Sequence, residues 1–187
     1  TRRDDVLALI NGLNVQKLDR YGQSYVRLQQ SVGVDTLAGD DAFWRGQGFL
    51  TRWVRLPKKN LLLIRAQGQL SHGPLPTSQQ FQLGGQYSVR GYTQGLLIGD
   101  RGYSLNVEHQ WPLPYASHMP KWAQDVRGLF FFDVGQTWTD NDSISFVPGL
   151  TNTRNRSLLV SAGVGFRYRL TQYLEGFTDL GFPLVNR

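Results

Sequence analysis

The chain contains no cysteine, which removes disulfide frameworks, thiolate metal sites and cysteine nucleophiles from consideration. It also lacks any apolar run fit for a membrane helix. The longest runs, such as Leu61 to Ile64 and Leu129 to Phe132, fall far short of the ~20 residues a helix needs to cross a bilayer. That absence excludes helical spans but not barrels, because a barrel strand needs only about ten residues with every second one apolar. Clustered basic charge is missing as well. The formal net charge is +6, yet Arg65, Arg90, Arg127, Arg167 and Arg169 stand singly inside apolar stretches, unlike the basic patch of a nucleic-acid face. No nucleic-acid partner is expected. No secretory signal or initiator methionine opens the chain, and Thr1 reads as a cut point.

Patterns for catalysis and metal binding are wanting too. His72 and His118 fall in connections without ligand-spaced partners, while Glu108 and His109 are neighbours on an expected strand and so point to opposite faces. Gly163-Val-Gly165 lacks the third glycine of a dinucleotide fingerprint, since Tyr168 stands in that place. Asp140-Asn-Asp142 lacks the glycine and terminal glutamate of a calcium loop. No context for Ser-His-Asp chemistry exists either. The expectation is a protein that is not an enzyme and holds no metal or cofactor.

What is present is a period of two, the signature of strands with unlike faces. In 102 to 112, Tyr103, Leu105, Val107 and Trp111 oppose Ser104, Asn106, Glu108 and Gln110. In 157 to 170, Leu158, Val160, Ala162, Val164, Phe166, Tyr168 and Leu170 oppose Ser157, Ser161, Gly163, Gly165, Arg167 and Arg169. Segment 126 to 138 sets Val126, Phe130, Phe132, Val134 and Trp138 against Arg127, Asp133 and Thr137, with Leu129 and Phe131 as exceptions on the polar side. Segment 61 to 70 sets Leu62, Ile64, Ala66 and Leu70 against Arg65, Gln67 and Gln69. Weaker strands are expected over 6 to 17, 23 to 32, 49 to 56 and 173 to 184, making eight.

Tight links (Asp19 to Gly22, Pro57 to Asn60, Thr171 with Gln172) alternate with long ones at 33 to 48, 71 to 101 and 139 to 156. The long links are rich in Gly, Asp, Asn, Ser and Pro, as solvated loops are. Outer-membrane barrels alternate in this way; the link from Leu113 to Asp125 is longer than that rule predicts. Tyr21, Trp53, Trp111, Trp138 and Tyr173 near strand ends suit aromatic girdles. Alternation alone still admits a soluble β-rich binding domain.

The connection 71 to 101 decides between them. Its stretch Phe81-Gln-Leu-Gly-Gly-Gln-Tyr-Ser-Val-Arg-Gly-Tyr92 resembles the signature of the sixth extracellular loop in the Omp85 superfamily. The spelling Leu-Gly-Gly-x-x-Ser-Val-Arg-Gly-Tyr is most similar to the two-partner secretion transporters of the hemolysin and filamentous-hemagglutinin type. Phe131-Phe-Asp-Val-Gly135 and Gly99-Asp-Arg-Gly-Tyr-Ser-Leu-Asn-Val-Glu108 follow as similar family motifs. The resemblance implies an all-β antiparallel transmembrane barrel, of which residues 1–187 would be one partial domain. That domain would be the C-terminal half, about strands 8–15 of a 16-stranded barrel, without POTRA domains in this chain.

The resemblance further implies an outer-membrane transporter in a Gram-negative cell, exporting a large hemolysin- or adhesin-type exoprotein without ATP. Its partners would be that polypeptide, the outer-membrane lipid, and the barrel assembly machinery that inserts it. An Omp85-type assembly or insertion factor is the alternative, and a soluble binding domain a distant third. The loop tip Val89, Arg90, Gly91 and Tyr92 would fold into the lumen.

Glu108 and Asp133 fall on the polar faces of consecutive strands, so the expected partners of Arg90 are Asp133 and also Glu108, because a guanidinium grips a carboxylate through two parallel hydrogen bonds. Gly84, Gly85 and Gly91 would give the loop tight turns and close approach. Arg65, Arg127, Arg167 and Arg169 would line the lumen.

Overall fold

The computed structural model describes residues 6–35, 41–73, 75–113, 126–139, 156–169 and 173–185. Eight strands form one antiparallel sheet: β1 (Val6–Asp19), β2 (Gly22–Asp35), β3 (Asp41–Arg55), β4 (Leu61–His72), β7 (Arg101–Pro112), β8 (Arg127–Trp138), β9 (Arg156–Arg169) and β10 (Glu175–Pro183). Each pairs with its neighbour in sequence, apart from the excursion between β4 and β7. That excursion carries a small hairpin of β5 (Phe81–Leu83) and β6 (Leu97–Gly99). The order β1-β2-β3-β4-β7-β8-β9-β10 leaves β1 and β10 as open edges.

All eight expected strands are found, several of them longer than the alternation suggested. The largest correction concerns 33 to 48, read from sequence as a loop. β2 and β3 pair from Gly22 with Val54 to Asp35 with Asp41, so the described parts of that stretch are strand. Glycine composition misled the reading. An added Cβ at Gly33 would lie 2.8 Å from the Phe43 ring, and one at Gly46 would lie 2.8 Å from the Trp44 ring; an aromatic side chain over a strand glycine fills the missing volume and keeps the strand intact. The link Thr171 with Gln172, most of 139 to 156 and most of Leu113 to Asp125 lie outside the described residues.

Burial is inverted relative to a water-soluble sheet. On β7 the polar set Ser104, Asn106, Glu108 and Gln110 is buried, and on β8 Asp133 is 0% exposed while Phe130 and Phe132 are 53% and 46% exposed. Val164 and Phe166 of β9 and Leu180 and Phe182 of β10 continue this bare apolar face. A soluble domain hides its aromatic faces and wets its carboxylates, whereas a barrel wall turns its apolar side to lipid. Leu129, Phe131 and Leu159, placed by register on the polar face, are buried there. Trp53 shares that face through its pairing with Leu63, so it is not part of an outer girdle.

Candidate functional site

The connection from β4 to β7 folds back over the polar face and is not the solvated loop its composition suggested. Its own side chains make the principal buried cluster: Phe81, Leu83, Val89 and Leu97 join Leu159 of β9, with Tyr92 packed alongside. The wall is cut to receive them. Phe81 lies where a Cβ on Gly102 would sit, 2.4 Å away, and Leu83 lies 2.5 Å from the Cβ position of Gly135. The return of the loop into β7 is pinned from β4, where the Gln69 side-chain amide donates to the carbonyls of Gln79 (3.0 Å) and Asp100 (3.1 Å).

Gly84 and Gly85 reverse the chain after β5 with φ of +104° and +96°, a region that side chains with a Cβ rarely enter. The turn is tied by the Gly84 N–H donating to Ser88 Oγ (2.8 Å) and the Gly85 N–H donating to the Val89 carbonyl (3.1 Å). Asn106 of β7 donates its side-chain amide to the Ser88 carbonyl. These bonds fix the tip that follows. Val89 enters the buried cluster and Arg90 turns to the wall.

Arg90 is 4% exposed, and each of its three guanidinium nitrogens donates a hydrogen bond. Nε donates to Asp133 Oδ2 at 2.8 Å and Nη2 to Asp133 Oδ1 at 2.9 Å, the planar two-pronged pair. Its backbone N–H donates to the same Oδ2 at 3.1 Å. Nη1 reaches Glu108 Oε2 at 2.9 Å and Asp179 Oδ2 at 3.1 Å. The guanidinium carbon lies 3.5 Å from the centroid of the Phe131 ring, close enough for a cation–π contact. One loop residue therefore joins β7, β8 and β10.

The cluster is balanced in charge. Arg167 donates from Nη2 to Glu108 Oε2 (2.9 Å) and Asp179 Oδ2 (3.1 Å) and from Nη1 to Asp179 Oδ1 (2.5 Å). Arg65 Nη2 lies 3.7 Å from Glu108 Oε2, and Gln110 donates to Glu108 Oε1 at 2.7 Å. Three guanidinium groups thus meet three carboxylates. Buried charge of this kind persists only when each ion is paired and hydrogen-bonded, because the desolvation cost per ion is several kcal/mol. Among the described residues, the side chain of Asp133 has Arg90 as its hydrogen-bond partner, whereas Glu108 and Asp179 are shared with Arg167.

Of the residues expected from sequence, Arg90, Asp133 and Glu108 come together, and Arg65 and Arg167 belong to the same cluster. Arg127 and Arg169 stand apart. Both occupy the polar face by register, but Arg127 donates to the Lys59 carbonyl (3.0 Å), and Arg169 pairs loosely with Glu175 at 3.5 Å, 62% and 77% exposed. Asp179, Phe131 and Gly181 were not anticipated as site residues. Asp179 and Gly181 share the inward phase of β10, paired with Gly165 and Gly163, a regularity visible in sequence only once β10 is set beside β9.

A sheet with a bare apolar face, a polar face and a loop clamped onto that polar face defines a segment of transmembrane β-barrel wall. The chain belongs to the Omp85 superfamily, whose domain matches residues 2–182. Among solved structures it is similar to BamA from Haemophilus ducreyi lacking POTRA domains 1–3 (15% identity, TM-score 0.73), covering 96% of this chain and 39% of that one. It is likewise similar to CdiB from Escherichia coli (19% identity, TM-score 0.70), covering 97% of this chain and 33% of that one. The chain thus spans little more than a third of these relatives. No curated protein matches its sequence.

Proposed function

We propose that this chain is wall and signature loop of an outer-membrane transporter of two-partner secretion, which passes a large exoprotein of hemolysin or adhesin type through its barrel without ATP. The observation that carries this reading is the docking of the tip Val89-Arg90-Gly91-Tyr92 on Asp133 and Glu108, in a loop whose Leu83-Gly84-Gly85 spelling resembles those transporters. Transport is its role, not catalysis. The exoprotein, the lipid of a Gram-negative outer membrane and the machinery that inserts barrels are its partners.

The physical argument concerns what undocking leaves behind. If Arg90 withdrew, Arg65 and Arg167 would still neutralise Glu108 and Asp179, but Asp133 would lose the guanidinium that hydrogen-bonds it. Stranding a buried charge costs about 3–5 kcal/mol, so the tip stays docked while the barrel is closed to water and can leave when the lumen is hydrated by a passing chain. Arg65, Arg127, Arg167 and Arg169 on the same face give that path its basic lining.

Replacing Arg90 by Ala in the full-length protein is expected to lower secretion of the partner while the barrel still reaches the outer membrane. Undiminished secretion with the barrel inserted would refute the lock. An assembly or insertion factor for other barrels is the rival role, and fold likeness does not separate the two. It is favoured if depleting the protein lowers the level of other outer-membrane barrels and leaves exoprotein export untouched.

A further inference from the structure

The loop tip is anchored a second time, on β10, by contacts separate from those with Asp133 and Glu108. Gly91 has φ +87° and packs backbone to backbone on Gly181: an added Cβ on Gly91 would lie 2.8 Å from the Gly181 carbonyl, and one on Gly181 would lie 2.7 Å from the Gly91 nitrogen. Neither residue can carry a side chain there. One residue on, the Tyr92 hydroxyl accepts from the Val185 N–H at 3.2 Å and sits 2.9 Å from the Val160 carbonyl and 3.0 Å from the Val185 carbonyl, its one hydrogen serving either.

The position of that hydroxyl is informative. The paired register of β9 and β10 runs to Pro183 with Ser161, and a last backbone bond joins the Leu184 N–H to the Val160 carbonyl at 2.8 Å. The next N–H along β10, that of Val185, donates to the Tyr92 hydroxyl, which so lies beside this last described bond. Asp179 supplies the third contact. Arg167 holds it through both carboxylate oxygens, at 2.5 and 3.1 Å, and so presents Oδ2 to Arg90 at 3.1 Å.

We propose that Tyr92, Gly91 and Arg90 form a clasp on β10, with Asp179 and Gly181 as its seat and Arg167 as the positioning residue, so that docking of the loop fastens the β9–β10 pair. Loop release then does more than clear the lumen: it loosens β10 against β9. The proposal rests on the transporter reading for its biological use and on the contacts at β10 for its physics.

Hydrogen exchange followed by mass spectrometry on the full-length protein in lipid tests it, with secretion measured in parallel. Tyr92→Phe keeps the ring and removes the hydroxyl, and it is expected to speed exchange over residues 180–185 about three- to ten-fold, the loss of one hydrogen bond, with β8 unchanged. Asp179→Asn and Arg167→Gln should speed the same peptide and that of the loop tip, and Arg167→Lys should restore part of the protection. Unchanged exchange over 180–185 in Tyr92→Phe and Asp179→Asn overturns the clasp, even if Arg90→Ala abolishes secretion and the transporter reading stands. Faster exchange there with secretion undisturbed supports the clasp as a structural fastening and overturns its use in transport.

Discussion

Arg90 and Asp133 meet as a planar pair, Nε to Oδ2 at 2.8 Å and Nη2 to Oδ1 at 2.9 Å, with the Arg90 backbone N–H on the same Oδ2 at 3.1 Å. Three donors from one residue thus saturate one side of a carboxylate that is 0% exposed. Lysine has the charge but not the fork. Arg90→Lys is therefore expected to lose most of the geometric hold, to be read as faster proteolysis of the loop in the inserted barrel.

Because Asp133 relies on Arg90, removing Arg90 alone should be worse than removing both. Arg90→Met should destabilise the barrel by about 3–5 kcal/mol, as expected for an uncompensated buried charge, and Asp133→Leu by less, because Arg90 keeps Glu108 and Asp179. The double variant Arg90→Met with Asp133→Leu should recover a large part of that loss. A denaturation midpoint in detergent micelles measures all three, and additive losses would show that the two residues do not interact.

The glycine notch under the loop predicts a steric effect without any change of charge. Gly135→Ala puts a methyl group 2.5 Å from Leu83 Cδ1, and overpacking of this kind costs typically about 1–3 kcal/mol. Loss of loop protection in hydrogen exchange, with the sheet still folded, is the expected signature.

Exposed and buried arginines on one face should behave differently. Arg169→Gln removes a loose pair that is largely solvated, and the stability change is expected to stay within about 0.5 kcal/mol. Arg167→Gln removes a partner of both Glu108 and Asp179 and should be plainly destabilising. Raising salt should leave the Arg90 cluster docked, since buried pairs are screened far less than exposed ones.

The bare apolar face gives a depth-dependent test. Val164→Arg on β9 puts a cation where the wall is apolar and exposed, and near the bilayer midplane such a change costs about 2–4 kcal/mol. Ser161, on the opposite face, lies outside that lipid-facing band. Membrane-integrated protein, assayed by resistance to urea extraction, should fall for the Val164 variant.

Much of this was legible before any coordinates. Strict alternation placed Asp133 and Glu108 on one face together with Arg65 and Arg167, and the Val-Arg-Gly-Tyr stretch marked Arg90. Two kinds of residue escaped. Glycine-rich strands such as the first half of β3 read as loop, because the Phe43 ring that covers Gly33 is recognised only when β2 and β3 are set side by side, and the Trp44 ring over Gly46 only once that stretch is known to be extended. Leu129 and Phe131 read as exceptions to the polar phase and Leu159 goes unmarked, yet Leu159 packs under the loop and Phe131 under Arg90.

Sequence by itself determined most of the strands and their two unlike faces, because side-chain alternation is a local property written every second residue, and the loop was marked by its resemblance to a family motif. Only the tertiary structure decided that Arg90 binds Asp179 as well as Asp133 and Glu108, and that Tyr92 meets Val160 and Val185. Those contacts join residues far apart in the chain, and the register between β9 and β10 and the path of the returning loop fix them. No local pattern encodes either.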